Sequence, residues 1–223
     1  MIEIFLDIET TGLSFNGGDK IVEIACIETN DMIPTSKTFH KLINPQRNVP
    51  QEAFKIHGFS NEFLKTKETF NLIADEFLEF IKNKTLIIHN ATFDVGFLNH
   101  ELKLLKKDVI KKENIIDSLE LARGKFPGSP NSLDALCRKF NIDLSKRIKH
   151  NAILDCQLLR EVYINLLGAK EPKLLFSEEK TLFTSEKNIG KSVEYCKEII
   201  LPNNSEIDDH KKLLKTEIKK NFY

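Results

Sequence analysis

Asp7 and Glu9 stand one residue apart at the end of the apolar stretch Ile2 to Leu6. In an extended strand, side chains at i and i+2 share a face, so the two carboxylates point together while Ile8 turns the other way into packing. Carboxylates this close repel each other unless positive charge is supplied. Taken alone, the pair also fits a solvated strand end. Asp94 follows a strand-like segment, in the first turn of an expected helix, where an acid commonly offsets the helix dipole. Asp155 lies inside the apolar stretch Ala152 to Leu159, where an acid needs a partner, solvent or a metal. His150 comes five residues earlier, at or just before the start of that helix. Five residues advance a helix axis by about 7.5 Å, so His150 can sit beside a cluster that Asp155 enters. Thr10-Thr11-Gly12 is the turn where the chain leaves the sheet and can bring backbone close to a ligand.

This mixture of groups suits phosphodiester hydrolysis. The reaction needs a nucleophile made from water, a polarised phosphorus and stabilisation of the leaving 3′-oxygen, and two divalent ions about 4 Å apart can supply all three. Mg2+ or Mn2+ takes oxygen ligands, and four carboxylates can neutralise two such ions. A histidine with a reference pKa of about 6.5 can take a proton from the attacking water near neutral pH.

The elements that must position these groups alternate between strand and helix. Ile2 to Leu6 and Ile21 to Thr29 read as strands separated by the Gly17-Gly18-Asp19 turn signal, and Ile33 to Leu42 pairs with the second as an antiparallel hairpin. Phe54 to Gly58 reads as a short helix closed by glycine. Phe70, Ile73, Phe77, Leu78 and Ile81 have helical spacing over 69–81. Thr85 to Ile88 is a buried strand. Ala91 to Leu105 is a helix with Phe93, Phe97, Leu98, Leu102 and Leu105 on its core side. Asp117-Ser118 caps a short helical segment, 133–140 and Ala152 to Leu167 are helices, and Gly168 ends the last. The pattern predicts an α/β fold, a mixed sheet flanked by helices.

A chain of 223 residues can bury a real core as one domain plus an appendage. Beyond Gly168 the long periodicity stops, predicting a domain over 1–168 and a flexible or partly helical tail over 169–223, with helical stretches at 191–201 and 208–220. Thirty-three basic and 33 acidic residues balance, which disfavours a protein that holds duplex DNA by bulk positive charge but not one that grips a chain end. Cys26, Cys137, Cys156 and Cys196 lack metal-site spacing and read as reduced thiols. No apolar run of membrane-spanning length and no secretory leader is evident, so a cytoplasmic location without membrane contact is expected.

Asp7-Ile8-Glu9-Thr10-Thr11-Gly12, the segment His89 to Phe97 and the segment His150 to Asp155 resemble the three exonuclease motifs of the DnaQ-like family, in its branch with four acids and a histidine. Pro50 to Gly58 and Asn131 to Cys137 resemble the family's bacterial epsilon, or proofreading, branch, and the likeness spans nearly all of 1–168 in order. The resemblance implies a ribonuclease H-like mixed five-stranded sheet and a 3′–5′ exonuclease that proofreads new DNA, releasing nucleoside 5′-monophosphates. It implies that Asp7 is a ligand shared by both metals, that Glu9 and Asp155 support the nucleophile-side ion, that Asp94 helps hold the other, and that His150 is the general base. Asp7, Glu9 and Asp155 would also meet the substrate. Thr10, Thr11 and Gly12 would approach the terminal sugar and phosphate with support from Asn90. His57 and Phe93 would neighbour the terminal nucleotide, a core role for Phe93 being equally open.

The implied partners are a single-stranded or frayed DNA 3′ end, the alpha subunit of DNA polymerase III, and a sliding clamp. Glu171 to Phe176 resembles the family's clamp-binding segment, with Leu174 and Phe176 as anchors, but carries Glu171 where glutamine is usual. Two other readings stay open, a related RNA-trimming or DNA-repair exonuclease and a mainly structural replisome subunit.

Overall fold

In a computed structural model, the described residues are 1–145, 147, 149–168 and 202–216. The chain divides into two units, Met1–Leu174 and Leu175–Tyr223. The first is built on one five-stranded sheet of order β3-β2-β1-β4-β5, formed by β1 (Ile2–Thr10), β2 (Ile21–Asn30), β3 (Ile33–Leu42), β4 (Thr85–Ile88) and β5 (Ile115–Asp117). β1, β2 and β3 pair antiparallel, whereas β4 and β5 join in parallel. The mixed sheet expected from the sequence is therefore present.

β1 runs to Thr10, four residues beyond the apolar stretch, so Asp7 and Glu9 lie within the strand rather than at its end. Alternation along β1 divides its side chains between two cores. Ile4, Leu6 and Ile8 pack with Phe70, Ile73 and Phe77 of α3 (Phe70–Ile81) and with Phe97, Leu98 and Leu102 of α4 (Ala91–Leu104). Phe5 faces the opposite way, onto Ala152, Cys156, Leu159 and Tyr163 of α7 (Ala152–Leu167). Asp7 and Glu9 continue the Phe5 row, which aims both at the N-terminus of α7.

Of the helices that frame this centre, α1 (Gln51–His57) starts three residues earlier than its hydrophobic pattern predicts, directly after Pro50, and ends at Gly58 with φ +82°. α2 (Asn61–Lys65) was not legible; five residues carry too little periodicity, although Ser60 caps it through Phe63 N–H. α5 (Ser118–Lys125) and α6 (Leu133–Lys139) pack on the far side of α7 through Ala122, Leu136, Leu158 and Val162. Cys26, Cys137 and Cys156 are buried free thiols.

In the second unit the described element is α8 (Asn204–Thr216), which starts four residues before the expected 208. Asn203 explains the earlier start. Its side chain accepts from Glu206 N–H at 2.9 Å, and the Glu206 carboxylate accepts from Asn203 N–H at 2.9 Å, a reciprocal cap. The helical stretch expected at 191–201 lies outside the described residues, as do Leu174, Phe176 and Cys196. No described helix is long and apolar enough to cross a membrane.

Candidate active site

β1 pairs with β4 only from Glu3 to Phe5, because β4 has four residues and stops at Ile88. Past Phe5 that flank of β1 has no strand beside it, and its buried N–H groups need other acceptors. Asp94 supplies one. Its Oδ1 accepts from Ile8 N–H at 3.2 Å, and the residue is 3% exposed. Asp94 is held there because a second carboxylate, Asp117, fixes the start of α4. Asp117 accepts from Asn90 N–H at 3.1 Å and Ala91 N–H at 2.9 Å, with Asn90 at φ +68°. Burial raises the Asp94 pKa to about 8, although backbone N–H groups of Asp94 and Ile8 favour its charged form; Asp117 adds repulsion.

On the other face, Glu9, His150 and Asp155 each place a ligand atom within 4.8 Å of the others. His150 Nδ1 stands 3.6 Å from Asp155 Oδ2 and 3.9 Å from Glu9 Oε1. The five-residue spacing closes because Asn151 is extended (φ −150°, ψ 120°), folding His150 back over the first turn of α7. Asn151 also caps that helix, accepting from Leu154 N–H, and His150 N–H donates to Ile56 O of α1 at 3.1 Å. Burial, then repulsion from Asp155 and Glu23, raises the Glu9 pKa to about 8, against the lowering effect of Arg147. Asp7 keeps some solvent contact as a residue, but the protein packed around its carboxyl holds its pKa well above the usual range; Asp94, Asp155 and Glu9 add to this.

Asp7 and Asp94 fall outside the tight three-residue group. Carboxylates at this density repel, and Asp94 Oδ1 is occupied by Ile8 N–H. The structure thus gathers Glu9, His150 and Asp155 closely, with Asp7 and Asp94 coupled to them through charge. Three carboxyls raised by burial and by neighbouring acids, with oxygen donors and no thiolate among them, fit hard divalent cations.

Beside the cluster, Glu9, Thr10, Thr11, Gly12, His57 and Phe93 line one cavity of about 460 Å3, a size in the range of small-molecule sites. His57 Nδ1 accepts from Phe59 N–H at 3.0 Å, so the proton of the neutral ring is on Nε2, a buried donor without a partner among the described residues. Burial lowers the His57 pKa to about 4, keeping the ring neutral at pH 7. Phe93 serves both readings, lining the cavity while its ring packs 5.0 Å from that of Phe97. Gly12 answers an internal need as well: a Cβ there would meet the Asp19 carboxylate at 2.4–2.7 Å. Asn90 lies elsewhere, in a separate cavity with His89, Arg123 and Asn131.

Four contributors were missed by sequence reasoning. Glu52 lines the same cavity as His57. Glu23, fully buried in β2, accepts from Ala152 N–H at 3.0 Å, from the Asn151 amide at 3.2 Å, and bonds His40 Nε2 at 2.7 Å. A carboxylate in the middle of an apolar strand was the available signal. Arg147 and Asp134 reach the cluster from a connection and a short helix that carry no such signal. Arg147 donates to both oxygens of Asp155, at 2.5 and 2.7 Å.

The sequence profile of the Exonuclease family matches residues 4–163. The chain is 46% identical over 222 residues to the DNA polymerase III subunit epsilon of Rickettsia felis, covering 97% of each chain. It is 45% identical over 186 residues to that of Escherichia coli, covering 80% of this chain and 76% of the relative. Its fold is similar to the nuclease domain of the exonuclease 3′hExo bound to rAMP, with a TM-score of 0.66, 16% identity, and 76% and 92% of the two chains covered. Exonuclease I gives a TM-score of 0.67 at 16% identity, over 77% of this chain and 41% of that one. Sequence kinship over almost the whole length and an acidic cluster with one histidine lead to one conclusion: the chain belongs to the DnaQ-like family of 3′–5′ exonucleases, in the branch with four acids and a histidine.

Proposed function

We infer that this protein is the proofreading 3′–5′ exonuclease of a bacterial replicative polymerase, the epsilon subunit of DNA polymerase III, hydrolysing the last phosphodiester of a frayed DNA 3′ end. The observation that carries the reading is the close approach of Glu9, His150 and Asp155, with Glu9 also forming the wall of the adjoining cavity.

Asp7, Glu9, Asp94 and Asp155 would hold two divalent cations, Mg2+ or Mn2+. When bound, these supply the positive charge that acidifies water and steadies the leaving 3′-oxygen. The protein's own groups do the rest. His150 accepts the proton of the attacking water on Nδ1, the ring nitrogen that faces Glu9 and Asp155. Asp7, Glu9, Thr10, Thr11 and Gly12 receive the terminal sugar and phosphate, and Phe93 offers a ring face to the base. His57 Nε2–H finds its missing acceptor on the terminal nucleotide. Asn90 would support the sugar–phosphate contact from the separate cavity that it lines. The alpha subunit would be held by the tail over 169–223, and a sliding clamp by Leu174 and Phe176, so that tethering rather than basic charge keeps the 3′ end near the site.

The test compares a primer with a mismatched 3′ terminus against a paired one, with and without the cognate polymerase. Nucleoside 5′-monophosphates should appear with Mg2+, faster from the mismatch, and Asp7→Ala should lower the rate by at least about 10^3-fold. Full activity in that variant would reject the site, and a strong preference for short RNA would reject proofreading.

A further inference from the structure

Arg147 is the one cation that reaches into the cluster among the described residues, and it touches the groups the reaction needs. Its Nε donates to Asp155 Oδ1 at 2.5 Å and its Nη2 to Asp155 Oδ2 at 2.7 Å. The same Nη2 lies 3.0 Å from His150 Nδ1. A guanidinium has donors only, so that nitrogen is accepting and its lone pair is occupied. The remaining nitrogen, Nη1, bonds Asp134 of α6. Arg147 is 8% exposed and Asp155 4%, whereas Asp134 is 39% exposed, so the guanidinium is fixed at its inner end to the site and at its outer end to the rim.

A planar fork on both oxygens of a buried carboxylate is among the stronger ion pairs. It leaves Asp155 and His150 engaged with each other's neighbour rather than available to a metal and a water. We propose that Arg147 is an internal counter-cation of the metal-free site, which competes with divalent metal for Asp155. On loading, it releases Asp155 and the His150 nitrogen while remaining tethered to Asp134. This rests on the assignment of Asp155 as a metal ligand made above.

The same side chain explains how a buried cluster of acids survives folding before metal arrives. Without Arg147, the buried Asp155 carboxyl would lose its two-pronged partner in a site crowded with other acids. Arg147 therefore acts as a positioning residue, tying His150 to Asp155 at the start of α7.

The test measures Mn2+ binding to the full chain by electron paramagnetic resonance of free Mn2+, with no substrate present. Arg147→Gln should bind Mn2+ on the order of tenfold more tightly than the wild type, and its metal-free form should melt lower, with the difference removed by saturating Mn2+. Arg147→Lys keeps the charge but loses the two-pronged contact, and should fall between the two. Arg147→Gln binding equal to or weaker than wild type would overturn the proposal, and so would wild-type affinity in Arg147→Lys, since the effect would then be net charge alone. Asp155→Asn separates the two readings. If it binds Mn2+ as the wild type does, the site assignment fails; if it loses binding while Arg147→Gln changes nothing, only the role of Arg147 fails.

Discussion

Glu9 and Asp94 have pKa values of about 8, and Asp7 is raised as well, so the metal-free protein carries protons at neutral pH that the unfolded chain has shed. Unfolded carboxyls titrate at about 4. Their contribution to stability is thus fully present below that value and is lost as pH rises toward 8. Metal-free protein should show a melting temperature that falls between about pH 5 and pH 8, measured by circular dichroism in the presence of a chelator. Saturating Mg2+ should flatten the slope by replacing protons with positive charge. A metal-free melting temperature that rises steadily across that window would contradict the electrostatic account. His57 acts oppositely, since its lowered pKa opposes folding only as pH drops below about 6.5.

At the scale of elements, the start of α7 depends on a residue from another strand. Glu23 accepts from the Ala152 N–H, one of the groups that a helix N-terminus leaves unpaired, and from the side-chain amide of the N-cap Asn151. Glu23→Ala would bury them without an acceptor. It should cost about 1–3 kcal/mol, read by urea denaturation, and slow hydrolysis by shifting His150 and Asp155 relative to β1. Equal stability in that variant would mean the contact is compensated. Sequence reading could not see this tie, because it joins positions 129 residues apart. Alternation and helical spacing gave β1, β2, β3, α3, α4 and α7, since each is long enough to show a period. The same logic missed α2 and stopped β1 at Leu6, where charge interrupts the hydrophobic row. Motif order singled out the four acids and the histidine as candidates, but not Arg147 or Glu52, whose meaning comes only from what they touch.

For the whole molecule, the balanced charge and the two units fit an enzyme delivered to its substrate by a partner. α8 leaves Ile207 and Leu213 substantially exposed. Truncation after Gly168 should leave hydrolysis of single-stranded DNA intact while abolishing association with the polymerase in a pull-down. Retention of the polymerase by the truncated core would place the attachment surface on residues 1–168 instead. Among the described residues, the core clusters of the first unit draw on side chains up to Leu166.

The short β4 has a consequence for how this enzyme can be inactivated. Because the strand ends early, Asp94 serves as its missing last rung, accepting the backbone proton of Ile8. One side chain would thus belong to both the scaffold and the proposed metal site. Removing it with alanine mixes a loosened sheet edge with a lost ligand, so a dead Asp94→Ala protein is ambiguous. Asparagine keeps an oxygen for Ile8 and discards only the charge, and so is the substitution that separates architecture from chemistry.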